Sequence, residues 1–426
     1  MYIERLHARN IRLLAEQEFS FLNQDGSPRL WTAIVGENGV CKSTLLQAIA
    51  LSAMGPKLGS ALVQDAQRLR NVNSSEAASI DATFLPPPCG APFVSSLRIE
   101  PARFDLTSGE DFSGADRLDA IRGRRETGWF VAGYGVGRFL AEPGETVLPK
   151  DPVVDRVRGL FNLRHKMLGI NFYSALRDQG LASRYCRILS SVLRAGDSPG
   201  ERLLPGFQSL DLEPLRRPGP SPMFETSRLR VSVDDRAIEL PATWLSDGYQ
   251  AMLSWVADLL GHAFLEDPEA DPWGLQGIVL LDEIDLHLHP TWQRRIIPLL
   301  RRVFPKLQFI VNTHSPLVLA GFERDEIILL KMQGGQVVQD PAEIEPGVLT
   351  ASEILSNFFD VQRAGRPDLV RKERRYVELK ALGHPGERER EELRTLERDL
   401  GPYITPSTSV ETEMLSPEMI LKRRKA

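Results

Sequence analysis

The sequence is poor in cysteine and has no long apolar run. Its three cysteines, Cys41, Cys89 and Cys186, are odd in number and far apart. That spacing excludes a disulfide framework and a zinc ribbon, and it fits a reducing, cytoplasmic setting. Nothing approaches the ~18 consecutive apolar residues of a membrane helix, so direct membrane insertion is not expected. The opening Met1-Tyr2-Ile3-Glu4-Arg5-Leu6 lacks the apolar core of a secretory leader. No sustained heptad appears, which excludes long coiled-coil arms. Positive charge is not in excess either, with 52 Lys and Arg against 57 Asp and Glu. The net charge of -5 argues against coating by nucleic acid but leaves room for a local basic patch.

What is present is ordinary globular composition. The 426 residues are 42% hydrophobic and 26% charged, enough for two or three units with packed cores. Near-alternation of Ile3, Leu6, Ile11, Leu13, Phe19 and Phe21 predicts short strands at the start. An apolar run, Leu30-Trp31-Thr32-Ala33-Ile34-Val35, predicts a buried strand. Helical spacing follows over 43–54, on Leu45, Leu46, Ile49 and Ala50. Residues 129–132 read as a strand, and Leu229, Val231, Val233, Ile238 and Leu240 as a hairpin turning at Asp234-Asp235. Helices are predicted over 251–265 and 291–303, and strands over 278–281 and 307–311. Alternating strands and helices imply a parallel α/β sheet. Pro86-Pro87-Pro88-Cys89-Gly90 and the Pro/Gly-rich stretch 199–222 mark loops. Residues 368–382 and 387–400 read as a charged helical hairpin, with Leu393, Leu396 and Leu400 as its apolar stripe. A polar tail ends in Lys422-Arg423-Arg424-Lys425. Charges of both signs alternate on that hairpin, as on a solvated helix face.

Four motifs carry chemistry. Gly36-Glu37-Asn38-Gly39-Val40-Cys41-Lys42-Ser43-Thr44 lies between strand and helix, where a curled backbone aims N–H groups at phosphate and the helix dipole adds positive potential. Lys42 then reaches the outer phosphates, and the Ser43 hydroxyl is a ligand for Mg2+. Cys41 stands where the motif has glycine, so its backbone is strained if φ must be positive. Next, Ile278-Val279-Leu280-Leu281-Asp282-Glu283 ends an apolar strand in paired carboxylates. Asp282 suits the metal, and Glu283 suits orienting or deprotonating a water. Ser246 and Gly248, within Leu245-Ser246-Asp247-Gly248-Tyr249-Gln250, open a helix as an anion site or as an ordinary N-cap. His314, in Asn312-Thr313-His314-Ser315-Pro316, is a γ-phosphate sensor or a structural histidine. Arg138, after a glycine turn, either approaches phosphate or props that turn. His287 and His289 fit loop structure better than a metal site, with no third ligand in view.

Taken in order, these motifs resemble the nucleotide-binding head of ABC, SMC and RecF-like ATPases. Walker A falls at 36–44, the signature at 245–250, Walker B at 278–283 and the H-loop at His314. The wording Asp282-Glu283-Ile284-Asp285-Leu286-His287-Leu288-His289-Pro290 is similar to the bacterial "AAA family" ATPases of anti-phage defence operons, the Septu type among them. The resemblance covers about 1–60 and 225–330.

It implies an ABC-type P-loop head, a mixed sheet with flanking helices, split over 1–60 and 225–345. Residues 61–224 would form an insert or lid, and 346–426 a helical hairpin and tail. It also implies ATP and Mg2+ as cofactors. Gly36, Asn38, Gly39, Cys41, Lys42, Ser43 and Thr44 would cradle nucleotide, with Ser43 and Asp282 on the metal. Glu283, His314 and Lys42 would be catalytic. In a homodimer or higher homo-oligomer, Ser246 and Gly248 would act in trans, and Asp285 would lie at the dimer seam. A separate effector, such as a His-Asn-His nuclease, is the expected partner, with nucleic acid a further one. A transporter ATPase subunit, a fused nuclease and a non-hydrolysing binding module are the alternatives.

Overall fold

The computed structural model describes residues 1–85, 91–108, 129–140, 147–168, 172, 176, 178–211, 228–233, 236–269, 271–361, 367–380 and 386–400. The expected loop at 86–90, the turn at Asp234-Asp235, residues 381 and 382 of the first hairpin helix and the polar tail lie outside these residues. The strands are β1 (Tyr2–Ile11), β2 (Leu14–Ser20), β3 (Trp31–Gly36), β4 (Ala78–Leu85), β5 (Phe93–Ile99), β6 (Thr107–Ser108), β7 (Val131–Tyr134), β8 (Phe207–Asp211), β9 (Arg228–Val233), β10 (Arg236–Pro241), β11 (Gly277–Leu281), β12 (Leu307–Asn312), β13 (Ile327–Gln333) and β14 (Gln336–Asp340). The helices are α1 (Lys42–Leu62), α2 (Pro152–Arg158), α3 (Gln179–Leu193), α4 (Asp247–Glu266), α5 (Pro290–Val303), α6 (Pro316–Leu319), α7 (Ala351–Phe358), α8 (Pro367–Lys380) and α9 (Glu387–Leu400).

A six-stranded sheet in the order β14-β13-β3-β12-β11-β7 organises the site. All of its pairings are parallel except the β13–β14 hairpin at one edge. Successive residues on a strand point to opposite faces, and both faces here are covered, so the strands are apolar throughout. Ile34, Ile278, Leu280, Ile310 and Ile328 face one core, which holds α1 and the inner side of β1, β4 and β5. Ala33, Val35, Val279, Leu281, Phe309 and Val311 face the other, which holds α3, α4 and α5. Enclosed in the first of these cores, α1 is buried on most of its surface, and it breaks at Gly55 where φ is 72°.

The antiparallel sheet β2-β1-β4-β5-β6 closes over the far side of α1. Gln308 ties the two sheets together. Its side chain is fully buried, accepts from the Ile3 N–H at 2.8 Å, and donates to the carbonyls of Ile3 and Arg29 at 3.0 Å each. A third small sheet, β10-β9-β8, packs Phe207, Leu229 and Val231 into the α3–α5 core.

Two expectations about domain boundaries need correction. Residues 61–224 are not a separate insert: β4 pairs with β1 and β7 pairs with β11, so this stretch supplies strands to both larger sheets. The unit containing the site also extends to Phe359 rather than to residue 345. Helix α7 belongs to it because Ile354 and Phe358 are buried in its core. The second unit is described by itself. In it α8 and α9 pack through Leu379, Leu396 and Leu400, with ion pairs Lys372–Asp399 at 2.7 Å and Arg375–Glu392 at 2.9 Å.

One buried acid sets a pH dependence for the whole fold. Asp258, on α4, is 3% exposed and accepts the Leu168 N–H at 2.7 Å. Burial pushes its pKa up to about 7. The folded chain therefore keeps a proton on this carboxyl that the unfolded chain releases near pH 4. Stability falls as pH rises from about 4 to about 7, then levels off. Asp258→Asn is expected to remove that slope. Urea unfolding across this range checks it, and an unchanged slope in the variant would refute the assignment.

Candidate functional site

The glycine loop joins the end of β3 to the start of α1, as the apolar run followed by helical spacing predicts. Gly36 has φ 144°, and a Cβ there would meet the Leu330 carbonyl oxygen at 2.2 Å. Only glycine lets β3 leave the sheet so close to β13. Glu37, Asn38 and Gly39 form the exposed tip. Cys41 caps α1 in the left-handed region, φ 63° and ψ 20°, and its side chain is buried against the core around α1. The strain expected at this position is therefore present, and it costs about 1–2 kcal/mol for a residue with a Cβ. Cys41→Gly relieves that strain but gives up buried contacts, so it is expected to leave stability within about 1 kcal/mol. Cys41→Val adds a β-branched side chain at positive φ and is expected to cost about 1–2 kcal/mol. Urea unfolding of both variants measures the difference, and equal stability for Val and Cys would contradict the backbone account.

Lys42 is buried. Its Nζ donates to the carbonyls of Gly36 at 2.9 Å and Glu37 at 2.6 Å. Burial lowers its pKa to about 8, against the pull of Asp282, Glu283 and Glu37. Ser43, the first exposed residue of α1, donates from Oγ to Asp282 Oδ1 at 2.9 Å. A hydroxyl and a carboxylate oxygen thus converge from loop and strand, an all-oxygen donor pair suited to a hard divalent cation. Thr44 faces inward instead and accepts from Arg12 Nη1 at 2.9 Å.

The acidic turn after β11 is held from three sides. The Asp282 N–H donates to the Tyr134 carbonyl at 2.8 Å. Asn312, at the end of β12, donates from its side-chain amide to Asp282 and accepts the Glu283 N–H. Glu283 sits at φ 49°. Its carbonyl accepts from Arg138 Nη2 at 2.6 Å. Arg138 is 3% exposed and props the turn through this contact. Burial first, then Asp282 and Asp285, raise the Glu283 pKa, opposed by Arg138 and Lys42.

His314 is half-buried, its ring centroid 6.2 Å from that of Phe359. Burial and then Lys42 lower its pKa, so the ring is neutral near pH 7 and offers one donor and one acceptor. The Asp285 carboxylate accepts from the Thr313 hydroxyl and, at 3.4 Å, from the His314 N–H. It is turned onto the histidine loop of its own chain.

Ser246 caps α4 in extended conformation, exposed, and its hydroxyl makes no capping hydrogen bond. Gly248 is buried against the loop after Glu283, where a Cβ would meet the His287 carbonyl oxygen at 2.4 Å. His289 caps α5 through Thr291, and among the described residues no group of three His, Cys, Asp or Glu could hold a metal.

The structure brings Lys42, Ser43, Asp282, Glu283 and His314 together around one loop. The hydrogen bonds and pKa shifts above link these residues to one another but not to Ser246. The motifs assigned no role to Asn312, Arg12 or Gln293. Gln293 donates to the Leu288 carbonyl at 2.9 Å and accepts from the Ser315 hydroxyl at 2.7 Å. The position of Asn312 as the last residue of an apolar strand beside His314 is the signal that could have found it.

Fold and sequence comparisons give the class. The solved structure titled "Crystal structure of the SmcHead bound to the C-winged helix domain of ScpA" superposes with a TM-score of 0.51 at 20% identity, over 80% of this chain and 98% of that one. The fold is that of an SMC head, a mixed α/β P-loop architecture. The family described as "AAA domain, putative AbiEii toxin, Type IV TA system" matches residues 116–320.

Within that class the chain is similar in sequence to curated Septu and retron proteins. It is 26% identical to "Septu protein PtuA" of Bacillus mycoides over 413 residues, 96% of this chain and 52% of that protein. It is 33% identical to "Retron Ec83 probable ATPase" of Escherichia coli over 231 residues, 54% of this chain and 39% of that protein. The chain thus spans about half the length, or less, of these relatives. No helix among the described residues is long and apolar enough to cross a membrane.

Proposed function

We propose that the chain binds and hydrolyses ATP with Mg2+, as an ABC-type head that closes on a second copy of itself. The observation that carries this is the Ser43 Oγ to Asp282 Oδ1 contact at 2.9 Å beside the buried Lys42 ammonium. A hydroxyl, a carboxylate and a cation at the mouth of one glycine loop are what a metal–triphosphate needs.

Gly36, Asn38, Gly39, Cys41 and Thr44 shape the loop whose N–H groups surround the phosphates. Lys42 leaves the Gly36 and Glu37 carbonyls for the β- and γ-phosphates. Ser43 and Asp282 hold Mg2+, which when bound neutralises charge on the outer phosphates. Glu283 orients and deprotonates the attacking water, and His314 hydrogen-bonds the γ-phosphate. Asn312 and Arg138 fix the carboxylate turn so that Glu283 does not wander.

Ser246 and Gly248 complete the site of a second copy. Support comes from the exposed Ser246 hydroxyl, uncommitted to its own helix, at a helix N-terminus suited to an anion. The dimer is tested by sedimentation of the Ser246→Arg variant with a slowly hydrolysed ATP analogue. Wild type is expected to shift to dimer, and Ser246→Arg to stay as it is without nucleotide while still binding the analogue. A variant that dimerises normally would remove the second copy from the proposal. Homology to Septu and retron ATPases supports a role in anti-phage defence, in which the nucleotide state controls a separate effector such as a His-Asn-His nuclease. Co-purification of such an effector with the Glu283→Gln form, and its release on wild-type turnover, tests that role.

A further inference from the structure

The backbone that carries His314 is tied down on both sides of the ring. Before it, the Thr313 hydroxyl and, at 3.4 Å, the His314 N–H donate to the Asp285 carboxylate. After it, the Ser315 hydroxyl donates to Gln293 Oε1 at 2.7 Å. Thr313 and Ser315 are both buried, so little water competes for these contacts.

Gln293 serves two elements at once. It lies in the first turn of α5, where a helical side chain leans back toward the N-terminus. That direction takes its Nε2 to the Leu288 carbonyl at 2.9 Å and the Asp285 carbonyl at 3.4 Å. One amide thus joins the residue after His314 to the backbone of 285–288. Only an amide answers all three groups, with its acceptor on a hydroxyl and its donors on carbonyls. A carboxylate would lack the donors, and an apolar chain would lack everything. The anchor is itself firm. A Cβ at Gly248 of α4 would meet the His287 carbonyl oxygen, and the neighbour of Gln293, Trp292, sets its ring 5.1 Å from that of Tyr249 on the same helix.

We propose that Gln293 is a positioning residue that holds the His314 imidazole in place for the γ-phosphate by fixing Ser315 to the segment 285–288. This rests on the reading that the glycine loop binds and turns over ATP. Gln293 makes no hydrogen bond to Lys42, Ser43, Asp282 or Glu283. Its loss therefore acts on turnover through His314 and leaves the grip on nucleotide in place.

The test is single-turnover phosphate release, which resolves slow variants, with equilibrium titration of MgATP. It is run on wild type, Gln293→Met, His314→Ala and the double variant. Gln293→Met is expected to keep a thermal transition near that of wild type and MgATP affinity within about threefold. Its turnover is expected to fall about tenfold, the effect of losing two neutral hydrogen bonds. In the His314→Ala background the same substitution is expected to change turnover less than about twofold, because its route to the nucleotide is already gone. A general loosening of the fold would slow both backgrounds alike. Ser315→Ala cuts the same bond from the loop side and is expected to show the same split between turnover and affinity, and it carries the test if Gln293→Met does not fold. Wild type without MgATP turnover would overturn the nucleotide reading and this inference with it. An active wild type with Gln293→Met within twofold of it, an equal loss in both backgrounds, or affinity that falls as far as turnover would overturn this inference alone.

Discussion

Lys42→Ala is expected to weaken MgATP binding about a hundredfold or more while leaving the fold intact. An ammonium on phosphate is a charge-assisted contact worth roughly twice a neutral hydrogen bond, and several such contacts converge here. Each tenfold of affinity corresponds to about 1.4 kcal/mol, so loss of two contacts accounts for the effect. The fold should tolerate the change because the burial of Lys42 is unfavourable. Its pKa is lowered to about 8, below the ~10.4 of a free lysine, so the folded state binds fewer protons than the unfolded one between these values. Stability therefore rises with pH across that window, and the ammonium subtracts from stability below it. Removing it costs the two carbonyl hydrogen bonds but also removes the desolvation. The measurement is thermal unfolding with and without MgATP. Wild type is expected to gain several degrees and Lys42→Ala none, from similar baselines. A variant that keeps its nucleotide affinity within a factor of about three would remove the loop from the nucleotide site.

Glu283→Gln is expected to lower turnover by about 100- to 1000-fold with MgATP still bound, the range of a lost general base. Glutamine has nearly the same shape, and the backbone contacts from Asn312 and Arg138 do not involve the carboxylate. The raised pKa of Glu283 makes it a better base than an ordinary surface glutamate. Turnover in wild type should rise with pH as that carboxyl deprotonates, and this limb should vanish in the variant. Steady-state phosphate release across pH checks both. Turnover equal to wild type would assign the water-activating role elsewhere. If Ser246 completes the site in trans, the variant should also accumulate as nucleotide-bound dimers.

Much of the site was legible because its chemistry is local. The glycine loop, the acidic turn and His314 each follow a strand that an apolar run announces, and strand ends are where a parallel sheet presents its groups. The central strands were legible for the same reason, being buried on both faces. What escaped was non-local. The pairing of β4 with β1 and of β7 with β11 depends on partners far apart in sequence, so 61–224 read as an insert when it supplies strands. Arg138 could not be distinguished by type, since an arginine that props a carbonyl and one that meets phosphate look alike in a glycine-rich turn. Asn312 opened a motif whose chemistry drew attention two residues further along, to His314.

The close packing at Gly248 carries a consequence for signalling. With no room for even a methyl group before the His287 carbonyl, α4 and the segment leaving the acidic turn move as one rigid lever. If Ser246 serves a second copy as proposed, its position would depend on the carboxylate turn of its own chain. If two copies close on ATP as proposed, turnover at one nucleotide would be expected to shift the Ser246 offered to the other and so couple the two pockets. An alanine at position 248 would wedge the lever open, and the two pockets would be expected to lose their timing before either lost its ligand.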